Sequence, residues 1–339
     1  MKKYIKILAL LVIGLMFIAG CSPKNDAADN NKAPATDGEL KFKIYLAGST
    51  PGGGGVWDMI GAGLAEAITR GNKGSSVTVV PGGGVSDVPV VSNGEAELGL
   101  THSVIAVAGE KGIDPFKEKY TNVKGVVSLY TSQLQFMVNP KTGIEKITDI
   151  KEKKIAIRIA VGDPGSTGEL ATKRLLNAYG MTYEDIESWG GKVLFKDMGE
   201  AASMFGDGII DAFTLLTLAP NGPLQQVATN KDVRMLPIDE DVIQKMVADY
   251  GYSEAIVPQS AYNFLEKDIP SFSSQVVLIT SEDRSEQEIY QITKSLVENL
   301  DYIRSIHNNL KGLTEKNMLS TGVELHPGAA KYFREKGVL

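Results

Sequence analysis

The sequence predicts an α/β protein whose sheets are covered by helices on both faces. Three observations predict it. Strand-like apolar runs alternate with helical patterns along most of the chain. Three of the strand-to-helix connections are rich in glycine with Ser or Thr. The foldable part, residues 40–339, is long for one core, so two domains are expected.

Strands are expected at residues 42–47, 76–80, 98–101, 126–129, 135–138 and 155–161, then at 193–195, 212–216, 233–236 and 275–280. Helices are expected at 56–70, 86–92, from 103 onward, and at 167–179, where Gly180 stops the pattern. A long amphipathic helix is expected over 286–306, with Ile289, Ile292, Leu296, Leu300 and Ile303 on one stripe.

Residues 1–39 fall outside this alternation. Lys2, Lys3 and Lys6 precede an uncharged apolar run over residues 7–19, too short for a transmembrane helix and shaped like a secretory signal. The run ends Ile18-Ala19-Gly20-Cys21, which resembles the bacterial lipobox, so residues 1–20 are expected to be removed and Cys21 lipidated. Cys21 is the only cysteine, which excludes a disulfide within the chain. Segment 21–39 is polar and cannot bury enough surface to fold, so it reads as a flexible tether. Loss of the three lysines moves the formal charge from -6 to -9, which argues against nucleic acid as a partner.

The glycine-rich loops are the candidate binding elements. The first is Gly48-Ser49-Thr50-Pro51-Gly52-Gly53-Gly54-Gly55, before Val56-Trp57. The second is Pro81-Gly82-Gly83-Gly84-Val85-Ser86, and the third runs from Val161 through Gly165-Ser166-Thr167-Gly168 to Glu169. Glycine lets backbone approach a ligand closely, and a helix start offers unpaired N–H groups that suit a carboxylate or phosphate. In open α/β sheets ligands sit beyond the carboxyl ends of strands, where these loops lie. Each loop taken singly is equally a tight turn with an N-cap.

Motifs for chemistry are missing. No Gly-x-x-x-x-Gly-Lys-Ser/Thr occurs, His102, His307 and His326 have no metal-ligand spacing, and Ser166 is not in a Gly-x-Ser-x-Gly elbow. No catalytic residue, metal or cofactor is therefore expected. His102 follows a strand and either lines a cleft or is hydrogen-bonded at the strand end. His326 is expected to cap the last helix. Arg158 reads either as a carboxylate partner or as a salt-bridged edge residue. Trp57 packs either on a ligand or in the core.

The loops and their surroundings resemble the TAXI family, the substrate receptors of tripartite ATP-independent periplasmic (TRAP) transporters. The resemblance rests on Gly48 to Trp57, on Gly83 to Ser86 followed by Asn93-Gly94-Glu95-Ala96-Glu97-Leu98-Gly99-Leu100, on Val161 to Glu169, on Asp211-Ala212-Phe213, and on Leu325 to Gly337. It departs at Trp57-Asp58, where family members often carry two aromatics, and at His102-Ser103-Val104, where they carry a Gln-Ser-Asp-like triplet.

The resemblance implies a type II periplasmic-binding fold, two α/β lobes joined by crossing hinge strands. Lobe one would be residues 40–133 plus 274–339 and lobe two 134–273, with crossings near 130–136 and 272–277. Ser49, Thr50, Gly54, Gly55 and Trp57 would bind ligand from lobe one, with Gly83, Gly84, His102 and Ser103. Gly165, Ser166, Thr167 and Gly168 would close over it from lobe two. Tyr130 would sit at the hinge, and Thr217 and Pro220 would face the cleft.

The implied activity is capture of a small carboxylate-bearing solute, an amino acid or dicarboxylate, by a monomer anchored by lipid outside the cell and working with membrane permease subunits. Two alternatives stay open: a receptor of an ABC importer, and a surface lipoprotein that binds a partner protein and no small molecule.

Overall fold

The computed structural model describes residues 41–49 and 56–339. Cys21, the leader, the tether, and Thr50, Gly54 and Gly55 lie outside them.

Strands β1 (Lys43–Ser49), β2 (Ser76–Pro81) and β3 (Leu98–His102) form a parallel group crossed by α1 (Val56–Gly71) and α2 (Asp87–Ser92). Helix α3 (Ser103–Lys111) leads into β4 (Val123–Val138). Next come α4 (Ile147–Glu152), β5 (Arg158–Ala160), α5 (Thr167–Ala178), α6 (Tyr183–Ser188), β6 (Lys192–Leu194) and α7 (Met198–Gly206). They are followed by β7 (Ala212–Thr217), α8 (Gly222–Asn230), β8 (Arg234–Leu236), α9 (Glu240–Tyr250), β9 (Ser253–Val257) and β10 (Ile269–Ser281). Helices α10 (Glu286–Glu298), α11 (Leu300–Ile306) and α12 (Pro327–Glu335) come after the sheet.

The strand order is β2-β1-β3-β10-β4-β7-β5-β6, with β8 on β4 and β9 on β10. Each end of the order is parallel; the middle pairs β3–β10, β10–β4 and β4–β7 are antiparallel. Strand β4 pairs with β10 up to Gln133 and with β7 from Gln133 onward. Strand β10 pairs with β9 up to Ser273 and with β4 from there. These two strands are the crossing strands of a two-lobed periplasmic-binding fold.

The expected strands at 126–129 and 135–138 are one continuous β4. The polar side chains of the stretch between them are satisfied inside the sheet. Gln275 Nε2 on β10 donates to Thr131 Oγ1 at 2.8 Å, and Ser128 Oγ donates to Gln275 Oε1 at 3.4 Å. The expected single helix over 286–306 is two, α10 and α11, separated by Asn299 in a non-helical conformation. Its stripe is nonetheless right: Ile289, Ile292, Leu296, Leu300 and Ile303 are all buried in the core that also holds residues of β1, β3 and α1. Burying each such side chain contributes roughly 1.5–3 kcal/mol.

Every residue of β3 is buried, as expected for a strand covered on both faces. One core gathers Ile44, Leu46, Ile60, Leu64, Leu100 and Ile289. A second gathers Val104, Phe136, Ile159, Leu175 and Phe272, and a third Met137, Phe205, Phe213 and Met235. The sheet therefore holds the carboxyl ends of β1, β2, β3, β5 and β7 as fixed platforms for the loops that follow them.

Candidate functional site

At the end of β2 the chain turns through the second glycine-rich loop. Gly82 N donates to Ser49 O at 2.9 Å, tying this loop to the end of β1. Gly83 N and Gly84 N donate to the two carboxylate oxygens of Asp87 at 3.1 and 3.2 Å. Asp87 is fully buried; burial pushes its pKa up, opposed by those two N–H groups. The backbone donors expected to face a ligand here are thus already held by a carboxylate of the protein itself. Thr101 Oγ1 donates to Gly84 O at 2.7 Å and fixes the tip of the loop on β3.

Three aromatic side chains meet beside that tip. Trp57 comes from the first turn of α1, Tyr130 from β4, and His102 from the end of β3, where it is the N-cap of α3. Trp57 Nε1 donates to Tyr130 Oη at 3.1 Å. The Trp57 and His102 rings lie 5.5 Å apart, tilted by 30°. Tyr130 is 8 % exposed, and burial raises its pKa to about 12, so its hydroxyl stays neutral. His102 is 6 % exposed, and neither ring nitrogen has a hydrogen-bond partner. Burial lowers its pKa to about 3, so the ring is neutral across the physiological range.

The third loop approaches from the carboxyl end of β5. Ser166 is the N-cap of α5, its Oγ accepting from Glu169 N at 3.2 Å. The next residue, Thr167, is 4 % exposed. A β-carbon built on Gly84 falls 2.9 Å from Thr167 Oγ1 and 3.4 Å from the Trp57 ring. The second and third loops are therefore in contact.

The structure brings Trp57, Gly84, His102, Tyr130 and Thr167 together. It places other expected site residues differently. Ser103 Oγ lies 3.1 Å from Ser274 Oγ and accepts from Gln275 N at 3.3 Å, so its hydroxyl binds α3 to β10. Gly83 is committed through its N–H to Asp87, and Ser49 through its carbonyl to Gly82. Gly165 has a φ of +74°, but a β-carbon there meets nothing within 4 Å; at Gly168 the nearest atom is 3.8 Å away. Among the described glycines expected at the site, Gly84 has the tightest surroundings.

Thr217 is buried, and its carbonyl accepts from Gln135 Nε2 at 3.1 Å; Pro220 is exposed. Tyr262 Oη donates to Gln135 Oε1 at 2.6 Å and accepts from Asn221 N at 2.8 Å, completing the support of that loop. Arg158 is a bidentate partner of Asp211, with Nε and Nη2 at 2.8 and 2.7 Å from its oxygens. It lies at the amino end of β5, opposite the loop, and this is the edge salt bridge of the two readings. Sequence reasoning missed Asp87, Gln275 and Tyr262. Only Asp87 had a signal: it follows the glycine run at the spacing of a side chain that caps its own loop.

Among the described residues no three His, Cys, Asp or Glu side chains gather as a metal site, and no helix is long and apolar enough to cross a membrane.

Solved structures with this architecture include the periplasmic binding protein BugD (TM-score 0.51, 14 % identity, covering 88 % of this chain and 95 % of that one). MatC from Rhodopseudomonas palustris with bound malate matches with a TM-score of 0.55 and 11 % identity, over 88 % of this chain and 98 % of that one. PhnD1 from Prochlorococcus marinus in complex with methylphosphonate matches at 0.52 and 14 %, over 88 % and 99 %. At these identities the likeness is one of fold, and it agrees with the crossing strands described above. The model of the NMT1-like family matches residues 49–337, from the end of β1 to the turn after α12. That span holds all three glycine-rich loops, both crossing strands and the terminal motif, and the chain belongs to the NMT1-like family.

Proposed function

We propose that the chain is an extracytoplasmic receptor that captures a small carboxylate-bearing solute between two lobes, and that it serves the permease subunits of a TRAP transporter of the TAXI type. The observation that carries this reading is the contact of Gly84 with Thr167, which joins loops from the two ends of the sheet around neutral aromatic groups. In this reading lobe one is residues 40–133 plus 274–339 and lobe two is 134–273. The register supports that division, because Gln133 pairs with Ser273 at the point where β4 and β10 exchange partners. The protein works as a monomer and does no chemistry on its solute.

The carboxylate assignment rests on α5. Glu169 N is held by Ser166 Oγ; the other first-turn N–H groups have no partner within the helix, and its dipole favours a negative group. Arg158 is spent on Asp211 and the loop-two N–H groups on Asp87, so α5 supplies the attraction without a cation. Thermal-shift screening tests this. Amino acids, dicarboxylates and oxo acids should raise the melting temperature, a ligand at a hundredfold over its Kd adding about 2.7 kcal/mol. Stabilisation only by sugars or polyamines would refute it. Ser166→Ala should cost about 1 kcal/mol of stability through loss of the N-cap. It should separately weaken binding by about 1–3 kcal/mol, read as a smaller shift relative to the variant's own ligand-free melting point.

The anchor is tested by Cys21→Ala. The variant should leave the membrane fraction, because Cys21 ends the lipobox-like run. A correctly processed variant that stays membrane-bound would sink the lipoprotein assignment.

A further inference from the structure

Nothing in the fold explains His102. A histidine kept only for packing would normally direct at least one ring nitrogen to a carbonyl, a hydroxyl or water, because an unpaired buried polar atom costs about 1–3 kcal/mol. His326 shows the ordinary arrangement within this chain: its Nδ1 accepts from Gly328 N at 3.1 Å and its Nε2 lies 3.2 Å from Arg284 O. His102 has neither kind of partner. Its chain neighbours Thr101 and Ser103 hydrogen-bond elsewhere, to Gly84 O and to Ser274, and the Tyr130 hydroxyl is engaged by Trp57. The ring is stacked on Trp57 at the N-terminus of α3, next to the point where Gly84 meets Thr167.

We propose that His102 determines which solute the cleft accepts, by requiring a hydrogen-bond donor on the solute beside its carboxylate. The inference rests on the reading of this cleft as a solute site. A neutral imidazole has one N–H and one lone pair, on different edges of the ring. A plain carboxylate satisfies only the N–H. A solute that carries a hydroxyl or ammonium group beside its carboxylate satisfies both nitrogens. Cost then falls on the solute that lacks the donor, because it leaves a buried lone pair unpaired.

The requirement for a neutral ring has a second consequence. Burial is the cause that lowers the pKa of His102, to about 3. Tyr130 from β4 is neutral, β10 presents backbone at Val276, α5 presents Thr167, and residues 50–55 carry no titratable side chain. An exposed histidine titrates near 6.5. On this proposal opening of the cleft returns the ring to water, so closing requires the loss of a proton once the pH is below about 6.5. Affinity is full above that pH and falls as the pH drops.

The test uses matched pairs of acids on the full chain: malate against succinate, and glutamate against glutarate, which differ by the donor. Calorimetric titration at pH 7.5 should show the donor-bearing member of the tighter-binding pair at least about tenfold ahead. His102→Phe keeps the ring against Trp57 and should bring the two members within about threefold; His102→Gln keeps a donor and an acceptor and should preserve the preference. Wild-type affinity for the tighter acid should fall about tenfold between pH 7.5 and 5.5, relative to His102→Phe measured alongside. Equal binding of both members by the wild type, a preference that survives in His102→Phe, or identical pH profiles would each overturn the role of His102 and leave the solute site standing. Binding by none of the four acids, with uncharged or cationic compounds binding instead, would overturn the carboxylate reading and this assignment together. If His102→Phe fails to fold, the wild-type preference and the His102→Gln result still decide the matter.

Discussion

Gly84→Val should yield a folded protein that no longer binds any solute in the cleft. Two penalties coincide at this position. The backbone φ is +72°, where a β-branched residue is a true outlier, and strain of this kind costs of order 1–3 kcal/mol. The added β-carbon also lands 2.9 Å from Thr167 Oγ1 and 3.4 Å from the Trp57 ring, before the two methyl groups are counted. Neither neighbour has room to yield, since Thr167 is buried at the start of α5 and Trp57 is tied to Tyr130. Relief comes by moving the third loop away from the second, which is the opening of the cleft. The strain therefore falls on closure more than on folding, and affinity should drop at least about 100-fold, or roughly 2.8 kcal/mol.

Ligand-induced thermal shift and Trp57 fluorescence read the loss, while circular dichroism reports the fold. Thr167→Ala in the same background removes the struck oxygen and should restore part of the affinity, as expected for two residues in contact. Gly165→Ala is the control: its φ of +74° carries backbone strain, but its β-carbon meets nothing, so binding should survive. Normal binding by Gly84→Val, or equal losses from Gly84 and Gly165 variants, would show that the two loops do not close on one another.

How far the site was legible follows from the kind of interaction at each residue. The strand-loop-helix order of the three loops is a local pattern and marks them as candidate binding elements; that Trp57, Gly84, His102 and Thr167 belong to one site is what the resemblance implies. Which glycine is demanded by its surroundings is not local. Gly84 and Gly165 look alike in sequence, yet only the first has a side chain from another loop pressed against it. The same holds for the hydroxyls. The resemblance implies Ser103 as a ligand contact, but its partner is Ser274, far along the chain on a crossing strand. Asp87 stands directly after the second loop in the sequence. Its role as an internal cap depends on burial, which composition does not display. Strand β4 was divided in two for a related reason: Thr131 and Gln275 satisfy one another only after the two strands have paired. Short elements such as α6, β9 and α8 have too few residues to show a period, and none was expected.

Gly328→Ala should be among the most destabilising single-methyl changes in the chain, although the residue is far in sequence from every proposed ligand contact. Helix α12 begins at Pro327, whose missing N–H costs nothing at a first helical position, and His326 caps it by accepting from Gly328 N. The preceding turn is locked to β4: His326 N donates to Gly125 O at 2.8 Å, and Gly125 N to Glu324 O at 2.8 Å. With its entry fixed in this way, α12 lies directly on α10. A β-carbon at position 328 would fall 2.2 Å from Glu286 O and 2.7 Å from Tyr290 N. Both are backbone atoms of the first turn of α10, so no rotamer change relieves the overlap; one helix must move. Movement would unseat Phe333 and Tyr332, which are buried in the core beside Ile289 and Leu296. The expected cost is at least about 3 kcal/mol, at the upper end of what overpacking produces. The melting midpoint should then fall by roughly 6–12 °C. Gly312→Ala, where an added β-carbon meets nothing within 4 Å and φ is not positive, should leave the midpoint unchanged within error. Solute affinity at a temperature where Gly328→Ala is still folded should match the wild type, because the damage lies in helix packing behind the sheet. A midpoint within about 2 °C of the wild type would mean that α12 is not held against α10 as described. The Leu325 to Gly337 motif, one of the more specific parts of the family resemblance, is thus explained by how a helix is seated: glycine at 328 permits the approach, and histidine at 326 sets its direction.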